Sequence, residues 1–326
     1  MGLNPTLIKH KYARPAIYTL LALILAGYFS RHPGYATTDN GFNLSDSLVP
    51  AEQIHHGGPP KDGIPAIDLP EFLTVRQAGF LNPADRVLGV TYNGMSKAYP
   101  VRILNYHEIV NDEFQGESVV ITYCPLCGTG MAFHADISGQ ARSFGVSGLL
   151  YNSDMLLYDR ESGSLWSQLM KQAISGPLKG EKLQQIPLAH TTWRDWQKQH
   201  PQTQVLSTRT GYSRDYTSTP YPGYSSSDVV MFPVTYQAAQ YHPKEQVLGI
   251  EIGTTFKAYP FSELAKFDSS VLHDMVGGRK LEVQYDPVNR TGKILDENRK
   301  EIPTVISFWF AWVAFHPESE VFKAGL

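Results

Sequence analysis

The sequence predicts an α+β, β-rich fold: one two-lobed domain built from two pseudo-symmetric β-β-α-β-β repeats. Segment 86–104, RVLGVTYNGMSKAYPVRIL, aligns without a gap on segment 246–264, QVLGIEIGTTFKAYPFSEL, and self-similarity of this kind marks two copies of one supersecondary unit. The chain also carries 18 Tyr, 15 Phe and 5 Trp, punctuated by 27 Gly and 22 Pro, a composition suited to short pleated strands between turns. Within each copy a VLG run and a KAYP run flank a turn at Asn93-Gly94 or Gly253, the pattern of a hairpin, and Pro100 or Pro260 closes the second strand. Two such units bury their open faces against each other, which predicts one body in place of beads on a linker.

Residues 1–36 read as a signal peptide or an N-terminal membrane anchor. Lys9, His10, Lys11 and Arg14 form a basic flank, and Ala16 to Tyr28 supplies an apolar stretch shorter than a bilayer span. Gly34 and Ala36 offer a small-x-small cleavage site before Thr37, whereas Tyr28, Phe29 and Arg31 suit retention as a short anchor. Either outcome predicts an extracytoplasmic body, whether periplasmic, cell-surface or secreted, with the membrane as a partner if the leader stays uncleaved. A later apolar run, Ile306 to Phe315, is about half the length of a span and ends in His316-Pro317.

Residues 37–84 form an extended lead-in that contains GGPPKDGIP at 57–65. Repeat 1 occupies 85–165, with a helix expected from about Val101 to Val110 and a strand from Ser118 to Cys124. Residues 166–244 hold a helix near Thr192 to His200, with Trp193 and Trp196 on one face, and a turn-rich surface stretch from Gly211 to Ser227 containing Tyr212, Tyr216, Tyr221 and Tyr224. Repeat 2 occupies 245–326. With one or two inserted residues the match extends Val110 and Asp112 onto Leu272 and Asp274, and Tyr123 and Pro125 onto Tyr285 and Pro287.

A net charge of −3 without basic runs leaves no footprint for nucleic acid. No Gly-rich phosphate loop, G-x-S-x-G elbow or H-E-x-x-H helix occurs. Residues shared by the copies report on the fold, so the unshared ones carry the functional signal. Chief among these is Cys124-Pro125-Leu126-Cys127-Gly128, which replaces Asp286-Pro287-Val288-Asn289-Arg290 of the second copy and holds the chain's two cysteines.

Three chemistries fit such a turn. As a metal knuckle it aims two thiolates at one zinc or copper ion; zinc needs two further ligands, for which His107, Asp112, Asp62, His273 and His316 are candidates. As a redox pair it cycles between dithiol and disulfide, although no helix follows it to stabilise a thiolate. As a structural element it is a disulfide staple or two buried thiols. His107-Glu108 is likewise confined to the first copy, and a lone helical histidine reads equally as a satisfied residue. Asp112 and Asp274 match across copies, which favours a turn or capping role over catalysis. The stretch from Phe144 to Gln168 offers Ser147, Asn152, Asp159, Arg160, Ser164, Trp166 and Gln168 to a pocket, or an Asp159–Arg160 salt bridge at a hairpin end.

On these residues the chain resembles a mostly prokaryotic family catalogued as domain of unknown function 3179. The resemblance rests on Gly57 to Pro65, KAYP at Lys97, His107 to Asp112, Tyr123 to Gly128, Phe144 to Gly148, Asp159-Arg160, Ser164 to Gln168 and FWFAWVAFHP from Phe308 to Pro317. It implies that the thiol pair, His107 and the Asp62 segment recur as a pattern, and it assigns them no activity.

Two functional expectations follow. The first is an extracytoplasmic metal- or thiol-dependent protein centred on Cys124 and Cys127, with His107 or Asp62 nearby. The second is a non-catalytic cell-surface binding module whose Tyr-rich loop and exposed Trp residues hold a small molecule, glycan, peptide or partner protein, with a structural Cys124–Cys127 disulfide.

Overall fold

The computed structural model describes residues 38–267 and 269–325, so the leader reading of residues 1–36 lies outside the described residues. The strands form small sheets arranged as a five-bladed β-propeller, with 12% helix. The first blade comprises Arg86–Tyr92 and Met95–Pro100, flanked by Ala189–Thr192 and Gln204–Leu206, with Phe72–Thr74 at its edge. The second is Ile109–Phe114, Glu117–Cys124, Thr129–His134 and Gln185–Ile186. The third is the meander from Phe144–Tyr151 through Asp154–Asp159 and Leu165–Ser167 to Gln172–Ser175, edged by Ile54–His56. The fourth contains Gln246–Ile252, Thr255–Pro260, Val305–Phe308 and Glu320–Val321; the fifth runs from Val271–Val276 through Arg279–Asp286 and Thr291–Leu295 to Glu301–Ile302.

This architecture corrects the two-lobed α+β expectation. Each repeated segment does run hairpin, short helix, hairpin, but its two hairpins belong to different blades. Helix α1 (Val101–His107) carries the chain from the first blade to the second; α2 (Trp193–Gln199) lies against the first blade, α3 (Phe261–Leu264) joins the fourth to the fifth, and α4 (Trp309–Phe315) lies against the fourth. The repeated stretch therefore spans a junction between blades and builds no lobe of its own. The helix expected to reach Val110 stops at His107, because Glu108 takes a left-handed φ of 58° and Ile109 starts the next strand.

The first and fourth blades share one pairing scheme. A distant strand pairs antiparallel with each VLG strand, Ala189 opposite Gly89 and Val305 opposite Gly249, and a second runs parallel to each KAYP strand. The glycine shared by the two copies seats a tryptophan in each: a Cβ would lie 2.3 Å from Trp196 at Gly89 and 2.1 Å from Trp312 at Gly249. The KAYP residues reach across to the neighbouring blade. Lys97 meets Asp112 at 2.8 Å and the Tyr99 hydroxyl donates to the same carboxylate, while Lys257 and Tyr259 each meet Asp274 at 2.8 Å. Asp112 thus locks two blades together, a role distinct from capping a turn.

The three largest cores lie between blades. One cluster packs Leu88, Tyr99 and Ile103 against Val110, Phe114 and Ile121; another packs Leu248 and Tyr259 against Leu281, Val283 and Ile294; the largest joins residues of the second, third and fourth blades and contains both cysteines. All five tryptophans are buried. In the Tyr-rich stretch Tyr216 and Tyr224 are buried too, and Tyr212 is exposed. Among the described residues no helix is long and apolar enough to cross a membrane.

Candidate metal centre

Cys124 ends the strand Glu117–Cys124 and pairs with Thr129 across a tight turn. Gly128 closes that turn at φ 62°, and a Cβ there would lie 2.9 Å from the Phe308 ring, so glycine is required both by conformation and by space. The amide of Phe308 donates to the Cys127 carbonyl at 2.8 Å, which fixes the turn against the fourth blade. Cys124 is 1% exposed, Cys127 is fully buried, and both are free thiols.

Facing them is the hairpin turn of the third blade. Asn152 and Ser153 both adopt left-handed conformations, φ 51° and 62°, a primed turn that matches strand twist. Asn152 holds this turn by donating to the Ala314 carbonyl at 3.2 Å and accepting from the Thr235 amide at 2.8 Å. The Ser153 carbonyl consequently accepts from the Cys127 thiol at 3.3 Å, and Asp154 enters the same space. One ligand atom from each of Cys124, Cys127 and Asp154 lies within 4.8 Å of the other two. This cluster is compatible with metal binding. Asp154 Oδ2 accepts from the Leu169 amide at 3.0 Å, whereas the buried Oδ1 has no hydrogen-bond partner among the described residues.

Glu108 adds a second buried carboxyl. Burial first, and then the charge of Asp154, push it up to about 8. Burial pushes Asp154 up to about 7, against the opposing pull of the Leu169 amide and the two thiols. Burial likewise raises both thiols, Cys127 furthest. Burial favours the protonated form of all four acids, because charge there is poorly solvated, and a bound cation would offset that cost by pairing with them. The Tyr-rich stretch closes over this space. Burial raises the Tyr221 hydroxyl, with Glu108 and Cys124 contributing, and it raises Tyr224, whose hydroxyl is buried without a partner.

The remaining residues singled out in the sequence lie outside this cluster. His107 is buried with both ring nitrogens engaged: Nδ1–H donates to the Pro65 carbonyl at 2.8 Å and Nε2 accepts from the Tyr216 hydroxyl at 2.6 Å. Burial lowers its pKa, so the ring is a neutral tether between the lead-in and the Tyr-rich stretch. Asp62 accepts from the Tyr158 hydroxyl, and Asp159 accepts from Trp166 Nε1 at 2.9 Å and from the Ser162 amide at 2.7 Å. Arg160 pairs with Asp68 at 2.7 Å, and Asp159 pairs with Arg142 at 3.6 Å, so adjacent Asp159 and Arg160 take different partners. Trp166 packs on Phe144, and Gln168 donates to Thr122 Oγ1 at 2.8 Å with a buried, unpartnered Oε1. His316 stacks on Phe256 at 4.2 Å and is pushed down to about 4 by burial. His273 is exposed.

Asp154 is the residue that the sequence reading passed over. Its signal is an acid directly after an Asn-Ser turn between two apolar strand runs, LLYNSDMLL, where an inward-facing carboxylate has no structural use unless something pairs with it.

No curated protein and no solved structure matches the chain significantly. The family described as "Protein of unknown function (DUF3179)" matches residues 61–299, most of the propeller, and the chain belongs to that family.

Proposed function

We propose that this is an extracytoplasmic metal-binding protein in which Cys124, Cys127 and Asp154 hold one zinc ion, with Glu108, a buried carboxyl that interacts by charge with Asp154 and Cys124, the candidate to complete a tetrahedral set. The observation that carries this reading is the triad of buried donors within 4.8 Å of one another, with Asp154 Oδ1 left unpartnered. Tetrahedral zinc at bond lengths of about 2.3 Å to sulfur and about 2.0 Å to oxygen separates its ligands by roughly 3.3–3.8 Å. The observed spread reaches that spacing by small side-chain rotations. A mixed thiolate–carboxylate set suits zinc better than Cu(I), which prefers sulfur alone. The donors come from two blades, so the ion crosslinks them, and their complete burial is the pattern of a closed site with no open position. The basic-then-apolar order of residues 9–28 supports placement outside the cytoplasm.

Cobalt substitution tests the reading. Co(II) titrated into metal-free, reduced protein is expected to give a thiolate charge-transfer band that saturates at one equivalent, disappears on adding zinc and is absent in Cys124→Ser. A titration without that band contradicts it.

A second reading is favoured by one observation: the two free thiols lie within 4.8 Å of each other beside a carboxyl near neutrality. Here one thiol passes its proton to Asp154 and attacks an external disulfide, forming a mixed disulfide and releasing one thiol that takes up that proton; the second thiol then attacks the mixed disulfide, closing Cys124–Cys127 and releasing the other thiol with the second proton. A Cys124–Cys127 disulfide in equilibrium with glutathione, in protein that binds no metal, would favour it.

A further inference from the structure

A cavity of about 400 Å³ opens one residue beyond Cys127, at Gly128. Residues of four blades converge on it: Arg86 and His190 from the first, Tyr123 from the second, Phe308 from the fourth and Arg290 from the fifth, with Lys244 from the segment that precedes the fourth. Its charge is one-sided. Arg86, Lys244 and Arg290 line it with no acidic residue beside them. None of the three takes part in a salt bridge among the described residues, although Lys244 is buried and Arg86 half-buried.

Each cation is held in place by neutral groups. Arg86 donates to the carbonyls of Asn289 and His190 at 2.5 Å each and to that of Arg290 at 3.2 Å, and Arg290 donates to Gln246 Oε1 at 3.0 Å. Lys244 is 4% exposed; its ammonium donates to the Val229 carbonyl at 2.6 Å and lies 4.1 Å from the Tyr224 ring centroid and 4.9 Å from that of Phe310. Tyr123 and then Asp195 act on Arg86, and Cys127 and then Asp228 act on Lys244, none of them within salt-bridge range. His190 is also 4% exposed, and its buried Nδ1 has no partner among the described residues. Burying cations without a counter-charge is costly, and an unpaired ring nitrogen adds to the cost. Both are removed if an anion fills the space.

We infer that this cavity binds a small organic oxyanion, a carboxylate or phosphate group on a compact body. The anionic oxygens would lie among Arg86, Lys244, Arg290 and His190, and the body against Tyr123 and Phe308. The volume matches a small-molecule pocket, and guanidinium forks suit carboxylate and phosphate alike. The inference does not rest on a metal at Cys124, because none of the cations belongs to that donor set.

Isothermal titration of the full-length protein in chloride buffer tests it, with inorganic phosphate, phenyl phosphate and phenylacetate as probes. Saturable one-site binding of at least one probe, weakened about tenfold or more (about 1.4 kcal/mol) by Lys244→Gln and by Arg290→Gln, is expected. Arg290 is exposed, so its variant keeps the fold even if Lys244→Gln does not. Tighter binding of phenyl phosphate than of phosphate and phenylacetate assigns a phosphate ester, and the converse a carboxylate. The inference is overturned if no probe gives saturable heat, or if Arg290→Gln binds as tightly as the wild type.

Discussion

Replacing Asp154 by Asn should stabilise the metal-free protein and abolish its response to zinc. The buried carboxyl rises from its ordinary 3.8 to about 7 in the folded chain. Between those values the folded state binds more protons than the unfolded state, so stability present at low pH is lost as pH rises through about 7. At about 1.4 kcal/mol per unit the full loss is about 4 kcal/mol, developed above neutrality. Asn fills the same volume, keeps an oxygen for the Leu169 amide and carries no charge. It also removes one cause of the raised Glu108. Allowing for relaxation, the metal-free variant should be more stable than wild type by about 2–4 kcal/mol at pH 8, or roughly 4–8 °C in Tm for a domain of this size. Below pH 4 the two should coincide. With saturating zinc the order reverses, because the ion stabilises only the wild type. Scanning calorimetry of both proteins in chelator and in zinc, from pH 4 to 8, reads all of this. A metal-free variant less stable than wild type by the same amount at every pH would refute the assignment of a proton-holding, cation-seeking carboxyl.

Three further outcomes are expected. Lys97→Met should destabilise by about 3–5 kcal/mol, since it strands the buried Asp112, whereas Lys257→Met at the more exposed Asp274 should cost about 1–2 kcal/mol; chemical denaturation measures both. Gly89→Ala and Gly249→Ala should each cost about 1–3 kcal/mol or prevent folding, because the added Cβ overlaps Trp196 or Trp312. His107→Gln should lower stability while leaving zinc affinity unchanged, since both nitrogens of that ring bond to Pro65 and Tyr216, away from the thiols.

The parts of the fold legible in the sequence are those with local causes. The hairpins at Asn93-Gly94 and Gly253, the strand into Cys124 and the helix bearing Trp193 and Trp196 all follow from turn chemistry and periodicity. The closure into five blades does not, because it depends on pairings across long stretches of chain. Ala189–Thr192 joins Arg86–Tyr92, and Val305–Phe308 joins Gln246–Ile252, and no local pattern encodes either partnership. A longer alignment would have pointed there: Thr192-Trp193-x-x-Trp196-x-x-x-His200-Pro201 is echoed by Phe308-Trp309-x-x-Trp312-x-x-x-His316-Pro317, each beside its own VLG glycine.

The thiols were legible as a copy-specific pair, and their third companion was not. Asp154 comes to Cys127 only because an Asn-Ser turn on another blade is pinned to Ala314 and Thr235, contacts far away in sequence. Arg86, Lys244 and Arg290 are scattered along the chain, and only the closure of the blades brings them around one cavity.

The account's central claim is met most directly by elemental analysis of the reduced protein purified without chelator, beside Cys124→Ser, Cys127→Ser, Asp154→Asn and His107→Ala. The account predicts one zinc per chain in the wild type and in His107→Ala, and a loss of most or all of it in the other three. A wild type free of metal with both thiols reduced, or zinc that survives loss of either cysteine, would contradict it.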